Sequence, residues 1–155
     1  MAFESNRFGI GPEKGDQMIV KQRMQKKVIS VLPSSSIHDA AIQMKKQKVG
    51  TVLVMEDGNK LKGILTDRDI AMAVAEKKDP NSTSINTIMK KKPITIKSDA
   101  DIMAALRVMS TGNVRRLPVC ERGKVIGMLS SADLASELRE ELDQFMSLEE
   151  AIVKH

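Results

Sequence analysis

The feature that most constrains this chain is that it is written twice. Slid forward by 65 positions, Val20-x-x-x-Met24-Gln-Lys-Lys-Val-Ile-Ser-Val31 falls on Ile85-x-x-x-Met89-Lys-Lys-Lys-Pro-Ile-Thr-Ile96. Ile37, Ala40 and Met44 then fall on Ile102, Ala105 and Met109, and Val49, Val52, Val54 and Gly58 on Val114, Leu117, Val119 and Gly123. After one residue is lost from the second copy, Gly63-Ile-Leu-Thr66-x-x-Asp69-Ile70 falls on Gly127-Met-Leu-Ser130-x-x-Asp133-Leu134. A period of this length signals one supersecondary unit made repeatedly. The copies run over 20–78 and 85–143, joined by the polar linker 79–84, with an N-terminal tail at 1–19 and a C-terminal tail at 144–155. A unit this small buries too little surface to be stable alone. The two copies are therefore expected to share a core.

Each copy carries the same local signals. A short extended piece rich in β-branched residues comes first, at 28–32 and 93–97. A helix follows, capped by Ser35 or Ser36 in the first copy and by Ser98 or Asp99 in the second. Its apolar positions, Ile37, Ala40, Ala41 and Met44 or Ile102, Ala105, Leu106 and Met109, recur on one helix face. Gly112 is expected to stop the second of these helices. Two strands joined by a turn come next, at 51–55 and 61–65 or 116–120 and 124–129. A last helix opens at Asp67 or Ser131. The order β-α-β-β-α, twice, mixes hairpin and crossover and predicts an α+β fold.

Composition narrows the function. Hydrophobic residues make up 41% and charged residues 29% of 155, the balance of a folded globular chain. Trp and Tyr are absent, and Phe3, Phe8 and Phe145 are the only aromatics. Single-strand nucleic-acid binding by base stacking has no platform here. The net charge of +5 comes with lysine clusters at 45–48, 77–78 and 90–92, read as solvated faces, so nucleic acid is an unfavoured partner. The longest apolar run, about residues 49–55, is far short of the roughly 20 residues that span a bilayer. The first residues have an early acid and no apolar core, unlike a signal peptide. One cysteine and two histidines leave little for disulfides or metal. A cytoplasmic protein is expected.

Smaller features have plain readings. Gly9-Ile-Gly11-Pro-Glu-Lys-Gly15 lacks the spacing of a phosphate loop and reads as a tail. Cys120 ends an apolar strand as a small hydrophobe. His38 is a surface or capping residue, and no Ser/His/Asp set exists, so no hydrolase is expected. Met44, Met72, Met103, Met109 and Met128 read as core, with an association face as the alternative. Leu142, Phe145, Met146, Leu148 and Ile152 give the C-terminal tail a helical period.

The segment Gly-h-h-Thr/Ser-x-x-Asp, with h apolar, stands at a strand-to-helix junction in both copies. Thr66 with Asp69, and Ser130 with Asp133, can form reciprocal helix caps worth about 1 kcal/mol and need no ligand for that. The same groups suit a ligand. A carboxylate only accepts hydrogen bonds, and vicinal ribose hydroxyls are two donors. The hydroxyl is placed for ribose or phosphate, and the helix start offers backbone amides to an anion. The two readings are compatible.

These duplicated motifs, with Leu65-Thr-Asp-Arg-Asp-Ile70, Val114-Arg-Arg-Leu-Pro-Val119 and Met89-Lys-Lys-Lys-Pro-Ile-Thr-Ile96, resemble the tandem cystathionine-β-synthase (CBS) domain pair, or Bateman module, and especially stand-alone prokaryotic CBS-pair proteins. The resemblance covers about residues 20–143. It implies two repeats packed with pseudo-two-fold symmetry, a regulatory sensor rather than an enzyme, and disc-like homodimers. It also implies clefts that take AMP, ADP, ATP or S-adenosylmethionine. By the same resemblance Asp69 and Asp133 would hold ribose, Thr66 and Ser130 ribose or phosphate, Ile29 and Ser30 or Ile94 and Thr95 the base, and Arg115 and Arg116 phosphate.

The copies differ where it matters. Arg115 and Arg116 fall on Gly50 and Thr51, and Asp67 and Arg68 on Ser131 and Ala132. One stronger cleft is therefore expected, from Thr66, Arg68, Asp69, Arg115 and Arg116. The expected function is sensing an adenosine nucleotide and signalling to an effector protein. The alternative is a ligand-independent interaction or oligomerisation module, with a weak nucleic-acid binder less favoured than either.

Overall fold

Four apolar residues in a row, Val52 to Met55, cannot all face one side of a strand, and the fold uses both sides. The computed structural model describes residues 18–153; the glycine-rich stretch 9–15, Phe3 and Phe8 lie outside the described residues. In the first copy, β1 (Ser30–Val31) leads to α2 (Ile37–Gln47), β2 (Thr51–Glu56), β3 (Lys60–Thr66) and α3 (Asp67–Ala75). In the second, β5 (Ile96–Lys97) leads to α4 (Ile102–Gly112), β6 (Arg116–Glu121), β7 (Lys124–Ser130) and α5 (Ser131–Val153). A short α1 (Val20–Arg23) precedes the first copy, and a 3₁₀ turn (Ile85–Thr87) with β4 (Lys90–Lys91) precedes the second. The sheets have the orders β1-β2-β3-β4 and β5-β6-β7, each with one parallel pair and one antiparallel hairpin.

Alternation along the strands places the core. Val52 and Val54 of β2 pack with Ala40 and Met44 of α2, and Leu117 and Val119 of β6 with Ala105 and Met109 of α4. The other faces meet: Leu53 and Met55 of the first sheet pack with Val125 of the second, flanked by Val28, Ile64, Cys120 and Met128. Fully burying one such side chain contributes about 1.5–3 kcal/mol. This shared layer is the physical reason for the duplication, since either copy alone would expose it.

The leading segment of each copy is carried by the other copy's sheet. Val20 sits in the core of the second copy, and Gln25 exchanges two backbone bonds with Met128 of β7, of 2.8 and 2.9 Å. Ile85 sits in the core of the first copy, and β4 pairs with β3, Gly63 opposite Lys91. This exchange explains the motif glycine. A Cβ at Gly63 would lie 2.8 Å from the Lys90 carbonyl oxygen, and one at Gly127 2.9 Å from that of Gln25. Only glycine admits the foreign segment this closely.

Several local expectations change. Ser36 caps α2, its hydroxyl accepting from the Asp39 amide at 3.1 Å while Asp39 accepts from the Ser36 amide. These bonds hold the Asp39 carboxyl below its ordinary pKa. The cap of α4 is Asp101, not Ser98 or Asp99; it accepts from the Met103 amide at 2.7 Å. The docked α1 engages the Ser98 and Ala100 carbonyls, which keeps that stretch out of the helix. Asn113, left-handed at φ 51°, ends α4, whereas Gly112 is its last residue and lies under the Ile94 side chain. Met44 and Met109 are core, but Met72 and Met103 are exposed, because each sits about 100° around its helix from a buried neighbour, Ala73 or Ile102. No helix among the described residues is long and apolar enough to cross a membrane.

Candidate functional site

The exchange of leading segments leaves two chain crossings, and each crossing walls a cleft. Residues leaving β4 for β5 pass between the sheets at Pro93 and Ile94. Their counterparts, Val28 and Ile29, pass the other way. The first cleft, about 250 Å³, is lined by Thr51, Ile64 and Thr66 of the first copy and by Lys90, Pro93, Ile94, Val114, Arg115 and Arg116 of the second. The second, about 240 Å³, is lined by Met128, Ser130, Asp133 and Arg116 of the second copy and by Gln25, Lys27, Val28, Ile29, Val49 and Thr51 of the first. Each cleft thus takes its motif hydroxyl from one copy and the chain crossing that walls it from the other.

The motif groups are organised by helix capping. The Asp69 Oδ2 accepts from the Thr66 amide at 2.8 Å and from the Thr66 hydroxyl at 2.9 Å, while the Asp69 amide donates back to the Thr66 Oγ1 at 3.3 Å. Asp133 does the same with Ser130, at 2.8, 2.8 and 3.2 Å. The capping reading is therefore realised in both copies. It also limits the hydroxyls. With its proton on the aspartate, each has acceptor capacity left and none to donate, which suits a ribose hydroxyl better than a phosphate oxygen.

The two carboxylates are not equivalent. Gln25 donates to the Asp133 Oδ1 at 3.2 Å, so both oxygens of Asp133 are engaged. The Asp69 Oδ1 has no protein donor among the described residues, because Lys90 replaces the glutamine at the matching position. The first cleft also carries three cations, Lys90, Arg115 and Arg116, against Lys27 and Arg116 in the second.

Of the residues expected from sequence, Thr66, Ile94, Arg115 and Arg116 come together in the first cleft, and Ile29, Ser130, Asp133 and Arg116 in the second. Asp69 stands behind Thr66, half-buried, one layer from the wall. Ser30, Thr95 and Arg68 line neither cleft: Ser30 and Thr95 are exposed along the strand leads, and Arg68 is exposed on the first turn of α3. The expectation of free amides at the start of α3 is overturned. The Asp67 amide donates to the Gly50 carbonyl at 2.9 Å, that of Arg68 to the Asp67 Oδ1 at 2.8 Å, and that of Asp69 to Thr66. An anion there must rely on side chains.

Sequence reasoning missed Lys90, Thr51, Ile64 and Val114, and Lys27, Val49 and Met128 opposite. The signal was present, since Val49 aligns with Val114 and Thr51 with Arg116 in the repeat. Cys120 is half-buried beside the inter-sheet core, and burial pushes its thiol pKa up, the environment of an unreactive thiol.

Comparison with known proteins gives one answer. The family model described as the CBS domain matches residues 20–76 and again 85–140. The CBS domain-containing protein YhcV of Bacillus subtilis is 33% identical over 116 residues, covering 75% of this chain and 82% of that protein. CBSCBSPB3 of Arabidopsis thaliana is 31% identical over 146 residues, 91% of this chain, and the match spans only 26% of that relative's length. Among solved structures, the CBS domain pair of protein MJ0100, in complex with 5′-methylthioadenosine and S-adenosyl-L-methionine, is 28% identical with a TM-score of 0.72. That match covers 80% of this chain and 98% of that one.

Proposed function

This chain belongs to the CBS-domain family, with two copies in tandem, and from that membership we propose that it senses an adenosine-containing ligand in the first cleft and passes the ligand state to a partner protein. The observation that carries the reading is the makeup of that cleft: an aliphatic slot, the Thr66 hydroxyl and the cations Lys90, Arg115 and Arg116, with Asp69 directly behind Thr66 holding a carboxylate oxygen that no donor among the described residues claims. The adenosyl ligands held by the MJ0100 pair support the same ligand class.

In this reading adenine lies between Ile64 and the Pro93–Ile94 crossing, without aromatic stacking. The ribose hydroxyls donate to the Asp69 Oδ1 and to the Thr66 oxygen. Phosphate, where present, meets Arg115 and Arg116. Charge-assisted bonds contribute about 1.5–3 kcal/mol each. Two or three of them, after the cost of association, suit a micromolar ligand at about −8 kcal/mol. Because the cleft walls come from both copies, a ligand that prefers one spacing of the sheets shifts the module toward it by its differential affinity. The module is regulatory rather than catalytic, cytoplasmic and homodimeric on this reading. Leu142, Phe145 and Met146, exposed along one side of α5, supply an apolar face for association.

Calorimetric titration with AMP, ADP, ATP and S-adenosylmethionine tests the proposal. At least one member of the panel is expected to bind with a micromolar Kd, about −8 kcal/mol. A panel without heat or saturation would leave the ligand-independent interaction module as the better account.

A further inference from the structure

Arg116 and Thr51 begin β6 and β2, the matching positions of the two copies, and they meet across the pseudo-two-fold axis. The Arg116 Nη1 donates to the Thr51 Oγ1 at 3.4 Å. Each of these two residues lines both clefts. The clefts therefore abut at this pair, and they share one guanidinium. Had the copies remained alike there, each cleft would own an arginine. Instead the first copy contributes a neutral threonine.

We propose that Arg116 is a shared anion contact that lets the protein hold one phosphorylated adenosine ligand at a time and makes the second cleft a site for an adenosyl ligand without phosphate. The charges around each cleft decide the order of filling. The first cleft has Lys90 and Arg115 besides Arg116. A phosphate settles there and draws the guanidinium with it. The second cleft is then left with Lys27 against the Asp133 carboxylate, a wall with no net positive charge. A second phosphate entering it meets only Lys27, which already donates to the Gln47 Oε1 at 3.3 Å, and it faces both the Asp133 carboxylate and the first phosphate across the axis. An uncharged adenosyl group loses nothing by the same move. Exposed guanidinium groups are mobile, and the 3.4 Å bond to Thr51 is long, so swinging Arg116 toward the first cleft costs little.

This inference rests on adenosine-ligand binding in the first cleft, and the test separates the two. AMP and adenosine are titrated into the full chain by calorimetry, first alone and then into protein saturated with AMP. At the first step AMP is expected to bind at least about tenfold tighter than adenosine, the discrimination of one or two charge-assisted bonds. At the second step AMP is expected to bind no better than adenosine. Thr51→Arg gives the second cleft an arginine of its own, and a preference for AMP at the second step of about fivefold or more should return. Arg116→Gln reports independently of how Thr51→Arg folds: it should cut the first-step preference by about tenfold and leave the second step unaltered. Two AMP molecules binding wild-type protein with equal preference over adenosine would overturn the sharing while leaving the sensor reading in place. An Arg116→Gln variant with an unaltered first step would also overturn it. No binding of either ligand would overturn the sensor reading itself, and the sharing with it.

Discussion

Asp69→Ala is expected to weaken adenosine-nucleotide binding about a hundredfold or more, measured by calorimetry against the wild-type chain. The argument is one of counting acceptors. The Asp69 Oδ2 is committed to Thr66, and the Oδ1 is the one carboxylate oxygen of the two motif aspartates without a protein donor among the described residues. A ribose diol offers two hydroxyl donors. Losing even one or two charge-assisted bonds, at about 1.5–3 kcal/mol each, gives that factor. The same substitution also removes half of the capping box at α3, at a cost of about 1 kcal/mol in stability. Asp69→Asn separates these effects, since it keeps an acceptor for the Thr66 amide but removes the charge. It should restore most of the thermal stability and little of the binding. Asp133→Ala, whose carboxylate is already occupied by Gln25, should leave the first cleft's affinity within about threefold.

The largest effect on stability is expected from Arg23→Ala. Arg23 is the last residue of the docked α1, and its Nη2 lies 2.5 Å from the Glu137 Oε2 on α5. The two ends of this bond are unlike. The Glu137 side chain is only 10% exposed and that of Arg23 is 39% exposed. Removing the arginine leaves a buried carboxylate without its ion-pair partner, and breaking a buried pair costs about 3–5 kcal/mol at the upper end. Removing the glutamate leaves an arginine that reaches water, so Glu137→Ala should cost clearly less. Urea denaturation of the three proteins checks the order: wild type most stable, Glu137→Ala intermediate, Arg23→Ala least. Arg23→Ala with Glu137→Leu should recover much of the loss, because a buried pair is replaceable by apolar packing. Equal losses for the two single variants would contradict this assignment of the burial.

The repeat made the architecture legible. Apolar positions such as Val52, Val54, Leu117 and Val119 recur in step because both copies pack the same face on the same kind of helix. The capping pairs Thr66–Asp69 and Ser130–Asp133 were readable for the same reason: both partners lie within one helical turn. What could not be read is what depends on long-range docking. Nothing in the local pattern says that Val20 belongs to the second copy's core or Ile85 to the first's, since each matches its own copy in register. The Asp101 cap was hidden behind the same event, because α1 bonds to the Ser98 and Ala100 carbonyls and delays the helix. The cleft walls followed. Lys90 looked like part of a solvated lysine run, and becomes a cleft residue through the pairing of β4 with β3. Arg115 and Arg116 were visible as a difference between copies, but that Arg116 faces both clefts is a property of the symmetry axis alone.

The most direct test of the account is a crystal structure of the chain grown with AMP. The account places adenine against Ile94 and Ile64, both ribose hydroxyls within hydrogen-bond distance of the Asp69 Oδ1 or the Thr66 Oγ1, and the phosphate on Arg115 and Arg116. AMP bound away from the first cleft, or a first cleft left empty at saturating AMP, would contradict it.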